Sequence, residues 1–156
     1  MENADAKKTV LFTCTHNAAR SQMAEGFVRA LYDDCYEAYS AGTEPTRVHP
    51  CAVTVMREVG VDISTYRAKG LEEFDGQHFD FVVTLCAEAQ DACPIFIGGE
   101  TYLHHGFDDP AQSKSTATET DACTQFRMVR DQLKEWIDVT FGTLFFCPER
   151  EGSRSG

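Results

Sequence analysis

Residues 10–26 read VLFTCTHNAARSQMAEG, an apolar run that ends in a cysteine and is followed, after five residues, by an arginine and a serine. The run TVLFT at 9–13 is β-branched and aromatic, which is typical of a strand buried on both faces. From Arg20 onward, apolar residues repeat at helical spacing. The stretch therefore predicts a strand, a loop from Cys14 to Ser21, and a helix that begins near Arg20.

The rest of the chain repeats this alternation of strands and helices. Strands are predicted at 37–42 (EAYSAG), 78–86 (HFDFVVTLC) and 102–107 (YLHHGF), and helices at 50–60 and about 121–141. The first of these helices is predicted to turn four side chains inward, Ala52, Val55, Met56 and Val59. Such alternation gives right-handed crossovers and a parallel sheet. We predict a three-layer α/β/α fold around a small, about four-stranded parallel sheet.

The 156 residues predict a single catalytic domain with flexible ends at 1–8 and about 148–156. The polar segment DDPAQSKSTATETD at 108–121 predicts a mobile loop. No signal region and no membrane-spanning apolar run is evident, so we expect a cytoplasmic protein with no membrane partner. The formal net charge of -11 argues against nucleic acid as a partner. An anionic substrate must therefore be held by local donors rather than by long-range attraction.

The cysteine content points to chemistry rather than to architecture. Seven cysteines are present, an odd number, and in a reducing compartment we expect them to be free, metal-bound or catalytic rather than a structural disulfide framework. Cys86 ends a predicted strand and Cys93 follows seven positions later. From the residues alone, this pair is either redox-active or two buried, inert cysteines. A zinc site would need further ligands at conventional spacing, and only His104 and His105 are nearby candidates.

The predicted loop suits an oxyanion. Backbone N–H groups and the helix dipole converge where a strand passes into a helix, and Arg20 offers a bidentate fork. The same field favours the thiolate of Cys14, and Ser21 is placed to hydrogen-bond that sulfur. Ligands of parallel α/β sheets bind at the carboxyl ends of the strands. Because Cys14, Cys86 and the GFDDP segment (106–110) all follow predicted strands, we expect them to share one edge.

The segment CTHNAARSQMAEGF (14–27) resembles the phosphate-loop signature of the low-molecular-weight protein tyrosine phosphatase superfamily, and SQMAEG is closer to its arsenate reductase branch. The resemblance spans about residues 9–140 in the family's order. The further segments that carry it are YSAGTEP (39–45), HPCAVTVMREVGVDIS (49–64), VVTLCAEAQDACP (82–94) and HHGFDDPA (104–111).

The resemblance implies an arsenate reductase regenerated by thioredoxin, with thioredoxin reductase and NADPH as the electron source. Cys14 would attack arsenate, Cys86 would form a Cys14–Cys86 disulfide, and Cys93 would form a Cys86–Cys93 disulfide that thioredoxin reduces. Asp109 corresponds to the general acid, and its neighbour Asp108 to a solvated or structural carboxylate. No bound cofactor or metal is implied, and phosphate or sulfate would act as analogues. The implied oxyanion-binding loop comprises Cys14, Thr15, His16, Asn17, Ala18, Ala19, Arg20 and Ser21.

The resemblance also implies a supporting shell behind the loop. Asn17, Glu25 and Ser40 match three positions of the monovalent-cation site that some family members use, and Lys69 aligns with the fourth, acidic position. An ammonium there could take the place of the cation, so we predict no potassium requirement. The other four cysteines are expected to be structural or incidental: Cys35, Cys51, Cys123 and Cys147.

Two other functions stay open at the level of sequence. A phosphatase acting on phosphotyrosine would use Cys14, Arg20 and Asp109 in the same way but would have no use for Cys86 and Cys93. A sensor protein could instead bind trivalent arsenic through three thiolates.

Overall fold

A computed structural model of the chain describes residues 7–87, 96–112 and 123–144. Four parallel strands form one sheet in the order β2-β1-β3-β4. Their bounds are β1 Lys8–Cys14, β2 Tyr36–Gly42, β3 Phe79–Thr84 and β4 Gly99–His104. The predicted α/β fold with a small four-stranded parallel sheet is confirmed. Several predicted features lie wholly or partly outside the described residues: residues 1–6 of the end predicted at 1–8, residues 113–121 of the loop predicted at 108–121, the end at 148–156, Cys93 and Cys147.

In the part of the chain that the structure describes, three α-helices accompany the sheet: α1 Arg20–Leu31, α2 Pro50–Glu58 and α3 Thr124–Val139. A π-helical turn, Thr140–Leu144, extends α3, and short 3-10 helices occupy Leu71–Phe74 and Pro110–Gln112. Pro50 stands at the first helical position of α2, where its missing N–H costs no hydrogen bond. Within the described residues, no helix has the length and apolar character needed to cross a lipid bilayer.

The two faces of the sheet bury different sets of side chains. Along β1, Val10 and Phe12 pack with the residues of α1, α2 and α3 in a large core. Leu11 points to the other face, where it joins a smaller cluster that includes Phe74 and Phe96. Each of these strand residues is fully buried, because β1 lies in the interior of the sheet between β2 and β3. The apolar run of 9–13 thus reflects burial on both faces, as predicted.

The fourth strand begins earlier than the sequence predicted. It covers Gly99–His104 rather than 102–107 and is largely exposed, because it is an edge strand. The Tyr102 hydroxyl holds its start by accepting from the Gly99 N–H at 2.9 Å and donating to the Phe96 carbonyl at 2.8 Å. An exposed edge lacks the apolar alternation that marks a strand in sequence, so the boundary was misplaced.

The inward face predicted for the helix at 50–60 is wrong at one position. Val59 is 43% exposed, whereas Ala52, Val55 and Met56 are buried. The helix ends at Glu58, and Gly60 adopts a positive φ of 83° that reverses the chain. Val59 therefore lies beyond the end of the helix and does not share its buried face.

The expectation that the cysteines do not form a structural disulfide framework is also wrong. Cys51 and Cys123 are joined by a disulfide with a Cα–Cα distance of 5.2 Å, although they are 72 residues apart in sequence. Cys35 is disulfide-bonded as well. Cys51 lies in the first turn of α2 and Cys123 is the N-cap of α3, so the packing of these two helices brings the sulfurs together.

Ion pairs reinforce the same contact between α2 and α3. Glu58, at the end of α2, accepts from Arg127 Nη2 at 2.7 Å and from Arg130 Nη1 at 2.8 Å. Arg130 Nη1 also donates to the Val55 carbonyl at 3.0 Å. The disulfide thus joins the starts of the two helices, and the ion pairs join the end of α2 to the first two turns of α3.

Candidate active site

The loop between β1 and α1 turns its carbonyl groups away from the cavity. Backbone N–H groups of the segment 44–49 donate to three of these oxygens: Glu44 to Thr15 (2.8 Å), Thr46 to His16 (3.1 Å) and His49 to Ala18 (2.9 Å). A fourth carbonyl, that of Asn17, accepts from the Gln22 side chain at 3.1 Å. Because N–H and C=O point in opposite directions across a trans peptide, the amides of the loop are directed inward. Such converging amides form an anion-binding nest.

The first turn of α1 adds to this field. Its N-cap, Ala19, makes no side-chain capping hydrogen bond, and no acidic residue lies in that turn. The first backbone N–H groups of a helix carry partial positive charge and have no intrahelical partner. Such groups suit an oxyanion held above the loop.

Gly42, the last residue of β2, presses directly against the loop. A Cβ atom at this position would stand 2.5 Å from the Thr15 carbonyl oxygen and 2.9 Å from the Asn17 nitrogen. Both are backbone atoms, so neither can move aside without distorting the loop. The glycine is required for this close approach of strand and loop.

Asn17 fixes the conformation of the loop from within. It adopts a left-handed backbone with φ of 52°, a region that asparagine tolerates better than most residues. Its Oδ1 accepts from the Lys69 N–H and from Gln22 Nε2, each at 2.8 Å. Because Oδ1 faces a backbone donor, the amide nitrogen Nδ2 is the group that donates to Ser21 Oγ, at 2.7 Å.

This chain of hydrogen bonds ends at Cys14. Ser21 Oγ lies 2.9 Å from Cys14 Sγ, and both side chains are buried. When Cys14 is a thiolate it can only accept, so the Ser21 hydroxyl then donates to the sulfur. A hydroxyl that donates to sulfur stabilises the thiolate over the thiol.

Arg20 and Asp109 form the opposite wall. Arg20 is only 2% exposed, and its Nη1 donates to the Phe107 carbonyl at 3.1 Å. Its Nη2 lies 3.5 Å from Asp109 Oδ2, and Asp109 Oδ1 accepts from the Ala111 N–H at 3.0 Å. Asp109 is buried and Asp108 is exposed, so only the former lines the cavity.

Cys86 follows the strand next to β1. Thr13 pairs with Thr84 in register, and the Leu85 N–H donates to the Thr13 carbonyl at 3.0 Å. Cys14 and Cys86 thus leave the sheet at the same edge, from neighbouring strands. Both are buried and neither takes part in a disulfide.

The supporting shell lies on the far side of the loop. Glu25 is buried, and it accepts from Ser40 Oγ at 2.6 Å and from Arg29 Nε at 2.8 Å. Lys69 Nζ lies 3.9 Å from Glu25 Oε1 and donates to the Arg67 carbonyl at 2.9 Å. Burial lowers the pKa of Lys69 from its ordinary value, and the charge of Glu25 acts in the opposite direction.

Sequence reasoning missed part of the cavity wall. The cavity of about 220 Å³ that contains Cys14, Arg20 and Asp109 is also lined by Thr46, Arg47, His49, Pro50 and Ala111. From the sequence alone, His49 is only the residue that precedes the helix predicted at 50–60. The signal that could have identified this wall is the position of segment 46–50 directly after β2, at the carboxyl edge of the sheet.

Comparison with known proteins agrees with this geometry. Residues 9–138 match the family model described as low molecular weight phosphotyrosine protein phosphatase. An arsenate reductase of Halalkalibacterium halodurans is 43% identical over 84% of this chain and 93% of its own. An arsenate reductase solved in its phosphate-binding state superposes with a TM-score of 0.72, at 35% identity, over 86% of this chain and 97% of its own.

A thioredoxin-dependent arsenate reductase of Corynebacterium glutamicum is more distant, with a TM-score of 0.59 and 25% identity over 88% of this chain and 64% of its own. The family match covers β1 through nearly all of α3 and so includes each side chain of the cavity described above. The chain belongs to the low molecular weight phosphotyrosine protein phosphatase family, among relatives that are arsenate reductases.

Proposed function

We propose that this protein reduces arsenate to arsenite by a thiol relay that starts at Cys14 and is regenerated by thioredoxin. The observation that carries the proposal is the placement of a second reduced thiol, Cys86, at the end of the strand beside the nucleophile. Hydrolysis of a phosphate ester needs one cysteine, whereas a two-electron reduction needs a second thiol to complete a disulfide.

Binding depends on the inward-facing amides and on Arg20. Arsenate is tetrahedral and anionic, so three of its oxygens can accept from the loop while Arg20 holds two of them through its planar fork. The negative net charge of the protein does not oppose this, because the donors are fixed and local.

In the first chemical step the Cys14 thiolate attacks arsenic. A sulfur–arsenic bond forms and one arsenic–oxygen bond breaks. Asp109 gives its proton to the departing oxygen, which leaves as water rather than as hydroxide. The Ser21 hydroxyl holds the sulfur in its reactive form before the attack.

In the second step the Cys86 thiolate attacks Cys14 Sγ. A Cys14–Cys86 disulfide forms, and the electron pair of the sulfur–arsenic bond passes to arsenic, which leaves as arsenite in the trivalent state. In the third step Cys93 attacks Cys86, which frees Cys14 and produces a Cys86–Cys93 disulfide. Thioredoxin reduces this last disulfide by ordinary thiol exchange.

Steady-state assays of arsenate reduction test the relay. NADPH oxidation is followed with arsenate, thioredoxin and thioredoxin reductase for the wild type and for Cys14→Ser, Cys86→Ser and Cys93→Ser. Each substitution is expected to abolish turnover. The double variant Cys51→Ser/Cys123→Ser removes both partners of a disulfide outside the cavity, leaves no new free thiol, and serves as the cysteine control that retains turnover. Peptide mass spectrometry of Cys93→Ser after one turnover should find the Cys14–Cys86 disulfide.

Two results would overturn the proposal. Normal turnover of Cys93→Ser with thioredoxin would exclude the third step as written. Rapid hydrolysis of para-nitrophenyl phosphate together with inert arsenate would identify a phosphatase instead.

A further inference from the structure

His49 contributes to two structures at once, the start of α2 and the wall of the active-site cavity. It is the N-cap of α2, and its ring nitrogen Nδ1 accepts from the Cys51 N–H at 3.0 Å. Its own backbone N–H donates to the Ala18 carbonyl at 2.9 Å, which ties it to the oxyanion loop. The ring packs against Phe126 with a centroid distance of 4.5 Å. The Cys51 N–H and the Phe126 ring therefore hold the imidazole, and the Ala18 carbonyl holds the backbone of the same residue.

These contacts determine where the ring proton resides. A backbone N–H can only donate, so Nδ1 must present its lone pair to Cys51, and the neutral ring carries its proton on Nε2. Burial and the charge of Arg47 lower the pKa of His49, and Asp109 acts in the opposite direction. The lowered pKa favours the uncharged ring, which can donate a hydrogen bond through Nε2.

The residues that line the cavity together with His49 indicate which part of a bound substrate the imidazole contacts. His49 and Asp109 line the same cavity, and the charge of Asp109 acts on the imidazole. In the binding mode proposed above, the loop amides and Arg20 hold the oxygens of the oxyanion nearest the sulfur. In a displacement, the leaving oxygen points away from the attacking atom and toward the acid that protonates it, here Asp109. Because His49 lines the same cavity as Asp109 and is within its electrostatic reach, we take the imidazole to face that outer side.

We infer that the Nε2–H of His49 donates a hydrogen bond to the outer, leaving oxygen of the bound oxyanion and so selects inorganic oxyanions over phosphate esters. In arsenate or phosphate the outer oxygen is a hydroxyl or oxide, which accepts a hydrogen bond well. In an aryl phosphate the same oxygen bears a ring, which needs the space that the imidazole occupies. The inference takes arsenate as the natural substrate from the proposed function. Its test uses phosphate and phenyl phosphate and does not depend on that function.

The test measures binding rather than turnover, in a Cys14→Ser background that cannot react. Titration calorimetry gives the Kd of inorganic phosphate and of phenyl phosphate, with and without His49→Ser. Serine keeps a side-chain oxygen that can cap α2 but has no group that extends into the cavity. We expect the Kd of phosphate to rise about 5-fold to 10-fold, the effect of one neutral hydrogen bond. The Kd of phenyl phosphate should fall or stay the same.

A second variant separates this role from capping. His49→Ala removes both the cap and the donor, so it should lower Tm further than His49→Ser while changing the Kd ratio of the two ligands to the same extent. An unchanged Kd of phosphate in His49→Ser overturns the inference, as does an equal weakening of both ligands, which would mean that His49 only shapes the loop. If the wild type fails to reduce arsenate but the Kd ratio shifts as expected, the proposed function is wrong and the inference about His49 stands.

Discussion

The Ser21 hydroxyl lies 2.9 Å from the Cys14 sulfur and also accepts from the Asn17 amide nitrogen. When Cys14 is a thiolate it has no proton to donate, so the Ser21 hydroxyl is then the donor to the sulfur. Asn17 is in turn oriented by the Lys69 backbone N–H. The reactive form of the thiol is therefore maintained by a relay of oriented dipoles that is anchored in the main chain.

Ser21→Ala should slow the reaction of Cys14 with electrophiles. A hydrogen bond to a charged group contributes about 1.5–3 kcal/mol, which corresponds to roughly 10-fold to 100-fold in thiolate reactivity. The rate of alkylation by iodoacetamide at neutral pH measures this directly, with Cys14 followed by peptide mass spectrometry. Ser64→Ala, an exposed serine outside the cavity, is the matched control. Equal alkylation rates in the two variants would contradict the assigned direction.

Asp109→Asn should lower kcat for arsenate with little change in KM. Loss of a general acid typically costs about 100-fold to 10,000-fold in rate. The asparagine Oδ1 can still accept from the Ala111 N–H, so the loop should keep its conformation. The neighbouring Asp108→Asn is the control, and it should retain wild-type kcat because Asp108 is exposed. A larger effect at Asp108 would reverse the assignment of the acid.

The position of Lys69 predicts how activity and Tm respond to alkali cations. Its ammonium lies near buried Glu25, so the wild type should show the same activity and Tm in potassium and sodium buffers. Lys69→Asp replaces that positive charge by a carboxylate, and a bound cation should then stabilise the fold. At tenfold its Kd, potassium would contribute about 1.4 kcal/mol. Thermal unfolding in KCl and NaCl checks both statements, and a potassium-specific gain in the wild type would contradict the first.

The Cys51–Cys123 disulfide should contribute strongly to stability under oxidising conditions. Cross-linking residues 72 apart restricts the unfolded chain by about 4 kcal/mol. Urea unfolding of the wild type and of the double variant Cys51→Ser/Cys123→Ser should differ by about this amount without reductant. With a strong reductant present, the two proteins should unfold at nearly the same urea concentration. A difference that persists in reductant would assign the effect to packing of the sulfurs instead.

Glu58 gives a pH dependence with a defined sign. Hydrogen bonds from Arg127, with a smaller part from Arg130, lower its pKa from 4.5 to about 2. Because the pKa is lower in the folded state, this stabilisation is fully present above about pH 4.5 and is lost as the pH falls toward 2. Glu58→Gln should therefore be less stable than the wild type at pH 7. The gap in Tm should close between pH 4.5 and 2, and a gap independent of pH would contradict the ion-pair origin.

Short-range patterns in the sequence predicted much of the site. Cys14 and Arg20 are set by one strand, one loop and the first turn of one helix, so their spacing is informative by itself. The approach of Cys86 to Cys14 followed from a general rule, since the carboxyl ends of parallel strands share an edge. The approach of Cys93 to Cys86 stays a prediction, because Cys93 lies outside the described residues.

Features that depend on helix packing were not predictable from pattern. The disulfide between Cys51 and Cys123 results from the packing of two helices that are far apart in the sequence. The second role of His49 has the same origin, because only tertiary structure shows that a helix cap also borders the cavity. An exposed edge strand such as β4 leaves too weak an apolar pattern to fix its start.

The outward orientation of the loop carbonyls has a consequence for how this site can change. In the proposed binding mode the loop amides contact the anion, so the side chains at Thr15, His16 and Ala18 carry little of the recognition and can vary. Constraint falls instead on the backbone of segment 44–49, whose amides bind the loop carbonyls, and on Gly42, which leaves room for the loop. Part of the anion affinity therefore depends on backbone contacts of Gly42, Glu44 and Thr46, residues that the proposal does not place against the anion.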